Sequence, residues 1–510
     1  MTHIVMPAQP PAPTRTPVPT KTPSPPPTPV PTLPPVKGPE PSYRVAAFYY
    51  PWYRNPEVDG RWDHWGQGWL NPPLDIASDF YPQLGAYSNL DPAVVAQHFA
   101  WLREAGVGVI VSSWWGRRSI EEQAVPLLLE MGERYGIKVA FHLEPYGGRT
   151  ATTLVSDVKY LYERYGEHPA FYRTTASTWR SFDDRPKGLF FLWASRFPDT
   201  EKPPVDALYW QEALDAIHAL PDGGLVMTDE TVGTWVDDGH FDGSYSYAVL
   251  QAGEADAYSW ARGLPPGAWY VPGVNPGFSA VRIGYEASTY VPRREGAAYD
   301  MRWQAVLDSV VEPALVAITT FNEWHEGTQI EPAAVGVDNG RGYTYEDYQP
   351  LPPDGYLALT RQWVERFEAQ TWPQLHLFRF RMVTSSDWTT LGLVEGASWL
   401  RPRVMYVSPE TDYAGLDGAR FALTQSLARG EAGERVEVVV DILVSGIEKD
   451  ELLVFEIERG HLGSTEVELM RYQGGKPVVV EKLVWDAIAP GERNAQLFEV
   501  PVSRVVYPEP

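Results

Sequence analysis

Eight short apolar runs, spaced along the chain with helical signals between them, constrain its fold more than any other feature. They are Val45 to Tyr50, Val107 to Ser112, Lys138 to His142, Gly188 to Leu192, Leu225 to Thr228, Ser244 to Tyr247, Ala268 to Val271 and Leu315 to Thr320. Apolar runs alternating with amphipathic stretches are the mark of βα units around a parallel sheet. Several of the intervening helices are announced by their ends. Asp91-Pro92 is a cap followed by proline at the first helical position; Val95, Phe99 and Leu102 form one face, and Gly106 stops the helix. Ser119 and Glu122 make a capping-box pattern, and Gly136 closes the helix that follows. A further helix over about Ala297 to Val311 leads into the last run. Eight such units in roughly 330 residues predict a (β/α)8 TIM barrel over residues 42–374, with its chemistry at the C-terminal ends of the strands.

The flanks differ in composition. Residues 1–41 are rich in proline and threonine, with 15 prolines and seven threonines in the first 40 residues, which predicts a stiff, extended spacer that does not pack. No basic segment followed by an apolar stretch can be read as a signal peptide there. Pro/Thr spacers often tether exported domains, so a secreted or cell-surface-tethered, bacterial-type protein is expected. From about residue 375 the helical pattern gives way to β-rich runs such as Arg435 to Asp441, Leu452 to Ile457 and Val478 to Trp485, which predict a separate sandwich-like all-β accessory domain over 375–510.

Composition excludes several functions. A net charge of −24 and a pI near 4.9 repel nucleic acid. With no cysteine there is neither disulfide, thiolate catalysis nor Cys-ligated metal. No apolar run approaches the ~20 residues of a membrane helix. Reading the predicted strand ends gives Tyr49 and Tyr50, Trp114 and Trp115, Glu144, Trp193, Asp229 and Glu230, Tyr245 and Tyr247, Asn275, and then Glu323 with Glu326. Such a ring of carboxylates and aromatics suits a carbohydrate site, where rings stack on sugar faces and acids bind hydroxyls.

The densest cluster is FNEWHEGTQIE, Phe321 to Glu331, just beyond the last run. Glu323 and Glu326, three residues apart, can do acid/base work. The same pair could instead be a solvated first turn of the next helix, where the dipole favours acids. Asn322, Trp324, His325 and Gln329 crowd the pair with polar and aromatic groups, which argues for a site.

At these residues the chain resembles glycoside hydrolase family 99, the endo-acting α-1,2-mannosidases and α-1,2-mannanases. The matching segments are FYYPWYRNPEVDG (Phe48 to Gly60), NPPLDIASDFYPQLGAYSNLDP (Asn71 to Pro92), HLEPYGGR (His142 to Arg149), YGEHPAFYR (Tyr165 to Arg173), FDGSYSY (Phe241 to Tyr247) and ITTFNEWHEGTQIEPA (Ile318 to Ala333). They cover residues 43 to about 370 and leave out the spacer and the β-rich tail. The resemblance implies a barrel that cleaves within α-mannoside chains with retention and needs no metal or other cofactor. It implies that Glu323 is the base on the substrate's 2-hydroxyl, which forms a 1,2-anhydro sugar, and that Glu326 is the acid on the leaving oxygen. It places Tyr49, Tyr50, Glu144 and Tyr245 around the reacting sugar, with Asn322 and His325 in the same motif. At Trp115 animal endomannosidases carry tyrosine and bacterial mannanases tryptophan, which favours mannose over glucose at the far non-reducing subsite.

Rival readings remain. His325 beside Glu326, together with His64, His98, His142 and His168, raises a metal hydrolase, though no HExxH spacing or Cys ligand exists. A catalytically dead glycan binder would keep the aromatics and lose an acid, and a glycosidase of the same fold could act on a different α-linked polysaccharide.

Overall fold

The computed structural model describes residues 33–370, apart from 69, 177, 179, 182–184, 201, 248–259, 262–263, 266–267 and 310, and beyond them the backbone of nine strands between 377 and 501. Most of the Pro/Thr spacer lies outside the described residues. Of its last part, residues 35–40 are exposed; the Pro34 carbonyl accepts from the Tyr135 hydroxyl at 2.7 Å, and Glu40 lies 3.4 Å from Arg103.

All eight expected strands form, with slightly different bounds. They are β1 (Ser42–Tyr49), β2 (Val107–Trp114), β3 (Lys138–Leu143), β4 (Lys187–Leu192), β5 (Leu225–Thr228), β6 (Gly243–Tyr245), β7 (Trp269–Val271) and β9 (Val316–Ile318), with a further short strand, β8 (Gly273–Val274), that was not expected. The hydrogen-bonded order is β7-β6-β5-β4-β3-β2-β1-β9-β8, with every neighbouring pair parallel. Pro272 separates β7 from β8. β7 pairs with β6 and β8 pairs with β9, so the sheet closes into a barrel through that proline, which has no N–H to give to a ladder. The proline carbonyl still accepts from Ala317 at 3.0 Å.

Helices cover the outside: α1 (Pro92–Glu104), α2 (Ile120–Tyr135), α3 (Ala151–Tyr165), α4 (Leu208–His218), the short α5 (Gly233–Asp238), α6 (Ala297–Leu307) and α7 (Gly355–Ala369). Asp91 caps α1 by accepting from the Ala93 amide, and Val95, Phe99 and Leu102 are fully buried. Ser119 caps α2 by accepting from the Glu122 amide, and the helix stops at Gly136, where φ is +70°. The Glu122 carboxylate does not complete the expected capping box. It accepts from the Trp114 indole at 2.6 Å and from the Tyr160 and Tyr165 hydroxyls at 2.6 and 2.7 Å, because burial makes three tertiary donors worth more than one local amide. Helix α6 ends at Leu307, four residues before its expected end.

Side-chain parity decides what faces the barrel interior. Residues two apart share a face of a strand. Ala46, Phe48 and Tyr50 of the first strand meet Val109 and Val111, Ala140, Leu189 and Phe191, Leu225 and Met227, Tyr245, Val271 and Ala317 in one interior cluster, with Trp52, Trp193 and Tyr247 packed on it. Each fully buried large apolar side chain here contributes about 1.5–3 kcal/mol relative to exposure.

Beyond residue 376 the expected β-rich runs are strands: Arg435–Leu443, Leu452–Arg459 and Lys476–Trp485 are three of nine, arranged in antiparallel sheets of six and three strands.

Candidate active site

The chain leaves β9 at Ile318 and turns over the mouth of the barrel. Glu323 to Gly327 form a turn rather than a helix, and the next helix, α7, begins only at Gly355. The alternative of a solvated first helical turn therefore fails, and Glu323 is 3% exposed. The turn is anchored on the neighbouring strand. The Phe321 amide donates to the Phe48 carbonyl at 2.8 Å. Asn322 accepts from the Tyr50 amide at 2.7 Å and donates to the Tyr50 carbonyl at 3.0 Å, so its amide group is occupied in splicing the turn to the end of β1. Glu323 donates its amide to Thr320 Oγ1 at 2.8 Å, and its Oε1 accepts from the His325 amide at 3.0 Å, while its Oε2 is buried with no hydrogen-bond partner among the described residues. The Ser279 amide holds the Glu326 carbonyl at 2.8 Å. At Gly327, φ is +59° and an added Cβ would lie 2.8 Å from the Ser279 carbonyl, so this position of the turn requires glycine.

Both acids are poised to carry protons. Burial, followed by the nearby charge of Glu326, pushes Glu323 well above the usual carboxylate range. Burial and then the charge of Glu144 push Glu326 up to about 7. A carboxyl that titrates near neutrality can both give and take a proton at physiological pH.

Around this pair stand groups from five other strands. Tyr50, from the end of β1, shares a 2.5 Å hydrogen bond with Tyr247, just past β6. Burial lifts both hydroxyls well above 10, so they remain neutral donors. Glu144, just past β3, accepts from Ser113 of β2 at 2.8 Å and lies 3.1 Å from Nδ1 of His142. Nε2 of His142 is 2.9 Å from the Tyr245 hydroxyl. Trp193, just past β4, packs on Tyr247 with ring centroids 4.7 Å apart. Trp115 follows β2, half-buried, with an indole N–H that has no partner among the described residues. His325 is buried, with Nε2 against the His64 carbonyl; burial pushes it down to about 4, so it is neutral.

Other expected residues are placed elsewhere. Tyr49 lies on the outward face of β1, fully buried, and its hydroxyl is 2.9 Å from His98 Nδ1 and 3.2 Å from Asn89 Nδ2. His98 in turn sits 3.2 Å from Glu331, which accepts from Tyr87 at 2.7 Å and from the Trp324 indole at 2.9 Å. Tyr49 thus belongs to a network beneath the turn and is not brought together with Glu144 and Tyr50. Asp229 is spent on the Ala194 and Ser195 amides, and Glu230 on Arg196. Sequence reasoning missed Ser113 and the part played by His142 beside Glu144. The parity of His142 and Glu144 on one strand was the available signal. It also missed Arg149, whose buried guanidinium donates to the carbonyls of Leu143, Ala194, Phe197 and Pro198 and so ties the end of β3 to the loop after β4.

A nearly closed parallel barrel carrying two proton-active carboxyls among tyrosines and tryptophans at its strands' C-terminal ends is the architecture of a glycoside hydrolase. Residues 41–369 match the model of glycosyl hydrolase family 99, and the chain belongs to that family. It is 32% identical to mouse glycoprotein endo-alpha-1,2-mannosidase over 372 residues, which are 65% of this chain and 76% of the mouse protein. It is 34% identical over 386 residues to a zebrafish glycoprotein endo-alpha-1,2-mannosidase-like protein, with 66% and 81% of the two chains covered. Among solved structures it is similar to a Bacteroides thetaiotaomicron GH99 endo-alpha-mannosidase, at 33% identity and a TM-score of 0.56, over 65% of this chain and 98% of the other.

Proposed function

We propose that the protein cleaves α-1,2-mannosidic linkages within mannans or mannose-rich glycans, with retention of configuration, through a 1,2-anhydro sugar. The observation that carries this reading is the single buried turn that holds Glu323 and Glu326 side by side at the barrel mouth, where burial raises the proton affinity of both. In an α-mannoside the axial 2-oxygen lies trans to the leaving group. Ionised Glu323 takes the 2-hydroxyl proton, O2 attacks the anomeric carbon from the face opposite the departing sugar, and protonated Glu326 gives its proton to the leaving oxygen. Water then attacks the anomeric carbon, Glu326 takes the proton of that water, and the proton held by Glu323 returns to O2 as the three-membered ring opens. Protons balance over the two steps, and each inversion cancels the other. Such a route uses the pair without a carboxylate nucleophile, unlike the more common retaining scheme.

Trp115 supports mannose at the far non-reducing subsite, through its indole face and free N–H. The Pro/Thr composition of residues 1–41 supports a tether at the cell surface or after secretion, where external polysaccharide would be met. The test is digestion of a panel of α-mannans and glucosylated mannosides, with products sized by mass spectrometry. A disaccharide or longer fragment from an α-1,2-mannoside is expected. Monosaccharide alone, or an intact mannan beside a cleaved α-glycan of another kind, would overturn the substrate assignment.

A further inference from the structure

The segment between β8 and α6 has an uncommon backbone. Arg294, Glu295 and Gly296 all take left-handed conformations, with φ of +49°, +57° and +96°. Glycine does this freely, but for arginine and glutamate it is unfavourable, and such strain persists only where the surrounding structure imposes it. The residue that this turn sets in place is Arg293. It is 9% exposed, and its guanidinium lies among three buried rings, 4.7 Å from Phe80 and 4.8 Å from each of Tyr348 and Tyr356. Among the described residues only its Nη2 is hydrogen-bonded, donating to the Gly327 carbonyl at 2.9 Å and to the Gln329 carbonyl at 2.7 Å. Its Nε and Nη1 are buried with no hydrogen-bond partner there. Aromatic faces replace part of a cation's lost hydration, yet a buried guanidinium with two idle nitrogens is a costly way to fill space.

The bond to Gly327 falls at a critical peptide. That carbonyl follows Glu326 directly, and the N–H of the same peptide, on Thr328, donates to the Glu323 carbonyl at 3.3 Å. Arg293 therefore holds the peptide that closes the turn from one acid to the other. The two acids depend on it unequally. Glu323 has anchors of its own, in Thr320 Oγ1 and the His325 amide. Glu326 is held through its backbone, its carbonyl by the Ser279 amide at 2.8 Å and the next carbonyl by Arg293. We propose that Arg293 is a positioning residue for the reaction: its guanidinium, caged by Phe80, Tyr348 and Tyr356, fixes the peptide after Glu326 and so aims that acid at the leaving oxygen. The proposal rests on the acid role given to Glu326 above. Its hydrogen bonds go to the backbone of the turn rather than to either carboxyl, so Arg293 acts on geometry and not on the proton itself.

Positioning and mere packing differ in their dependence on the leaving group. Loss of folded protein lowers turnover of every substrate by one factor, whereas a misaimed acid slows only substrates that need protonation. The experiment compares kcat on whichever glycan the wild type cleaves with kcat on a matched glycoside bearing a low-pKa leaving group. Wild type, Arg293→Met, Arg293→Lys and Glu326→Gln are measured side by side, with the fold of each checked by circular dichroism. Arg293→Met keeps the unbranched stem and loses both hydrogen bonds. It is expected to slow the natural glycan about tenfold and the activated substrate by less than about threefold, with KM nearly unchanged. Arg293→Lys retains a cation among the rings and an N–H donor, so its activated-to-natural ratio should lie closer to wild type. Equal loss on both substrates in Arg293→Met, or a ratio in Arg293→Lys no closer to wild type, overturns the proposal and leaves Arg293 a packing residue. If Arg293→Met does not fold, Phe80→Leu decides: opening one wall of the cage lets the guanidinium shift and should raise the ratio about twofold, and an unmoved ratio overturns the proposal. Glu326→Gln tells the two failures apart. An unraised ratio there defeats the acid role of Glu326 and this proposal with it, whereas a raised ratio beside an unmoved Arg293→Met defeats only the part given to Arg293.

Discussion

Glu326 is an acid whose proton is held more tightly in the folded chain than in the unfolded one. Its carboxyl rises from an ordinary 4.5 to about 7, so its burial opposes folding progressively as pH climbs from about 4.5 to about 7 and costs a constant amount above that. Glu326→Gln removes this cost. The Tm of the variant relative to wild type should therefore be higher at pH 8 than at pH 5, measured by calorimetry; an equal difference at both values would mean that Glu326 is not lifted. Kinetics separate the two acids. Glu326→Gln should slow natural glycans by 10²-fold or more, as is usual for a general acid, and should be largely rescued by a substrate whose leaving group needs no protonation. Glu323→Gln should be slow on both, since the 2-hydroxyl stays a weak nucleophile without its base. Equal rescue of both variants by the activated substrate, or fast wild-type turnover of an activated 2-deoxy analogue, would point to a direct enzyme nucleophile.

The elements that position these acids depend on barrel closure, and closure depends on backbones that touch. At Gly273 an added Cβ would lie 2.0 Å from the Ser246 carbonyl, and at Gly243 the same atom would lie 2.2 Å from the Trp269 carbonyl. Both contacts are with backbone, so a methyl group there has to push strands apart. Gly273→Ala is expected to destabilise the protein by about 3 kcal/mol or more, the upper range for forced overpacking. Gly147→Ala, where nothing lies within 4 Å, should change stability by no more than about 0.5 kcal/mol. Chemical denaturation of the two variants beside wild type checks the contrast. A Gly273→Ala protein as stable as Gly147→Ala would show that β6, β7 and β8 do not close as tightly as described. The seventh run read from the sequence ends at Val271, and the short strand beyond Pro272, Gly273–Val274, emerged only from its pairing with β9.

At the scale of the molecule, the described barrel begins and ends on itself. Ser42 of β1 hydrogen-bonds Glu368 of α7, and the Arg44 guanidinium lies 4.6 Å above the Phe367 ring, so the first strand and the last helix are in contact. A unit whose two ends meet in its own packing has what it needs to fold alone. A chain of residues 41–370 is accordingly expected to fold cooperatively and to hydrolyse the same substrate within about threefold of the full-length rate. A loss beyond about tenfold, with folding intact by circular dichroism, would assign the β-rich region a direct part in the reaction.

What the sequence determined by itself was whatever short-range chemistry can carry: strand and helix periodicity, the Asp91 and Ser119 caps, the stops at Gly106 and Gly136, and the two acids of the EWHEG turn, spaced so closely that any fold keeps them together. The tertiary structure decided the rest, for one physical reason. A strand's alternation says which residues share a face, but only closure of the sheet says which face is inside. Tyr49 and Tyr50 are equivalent in the sequence, yet closure turns Tyr50 to the acids and Tyr49 to His98 and the buried Glu331. Long-range electrostatics follow the same rule. Glu326 is lifted by a desolvation that the whole barrel mouth supplies and by Glu144, which lies 182 positions away in the chain and beside it only in the fold.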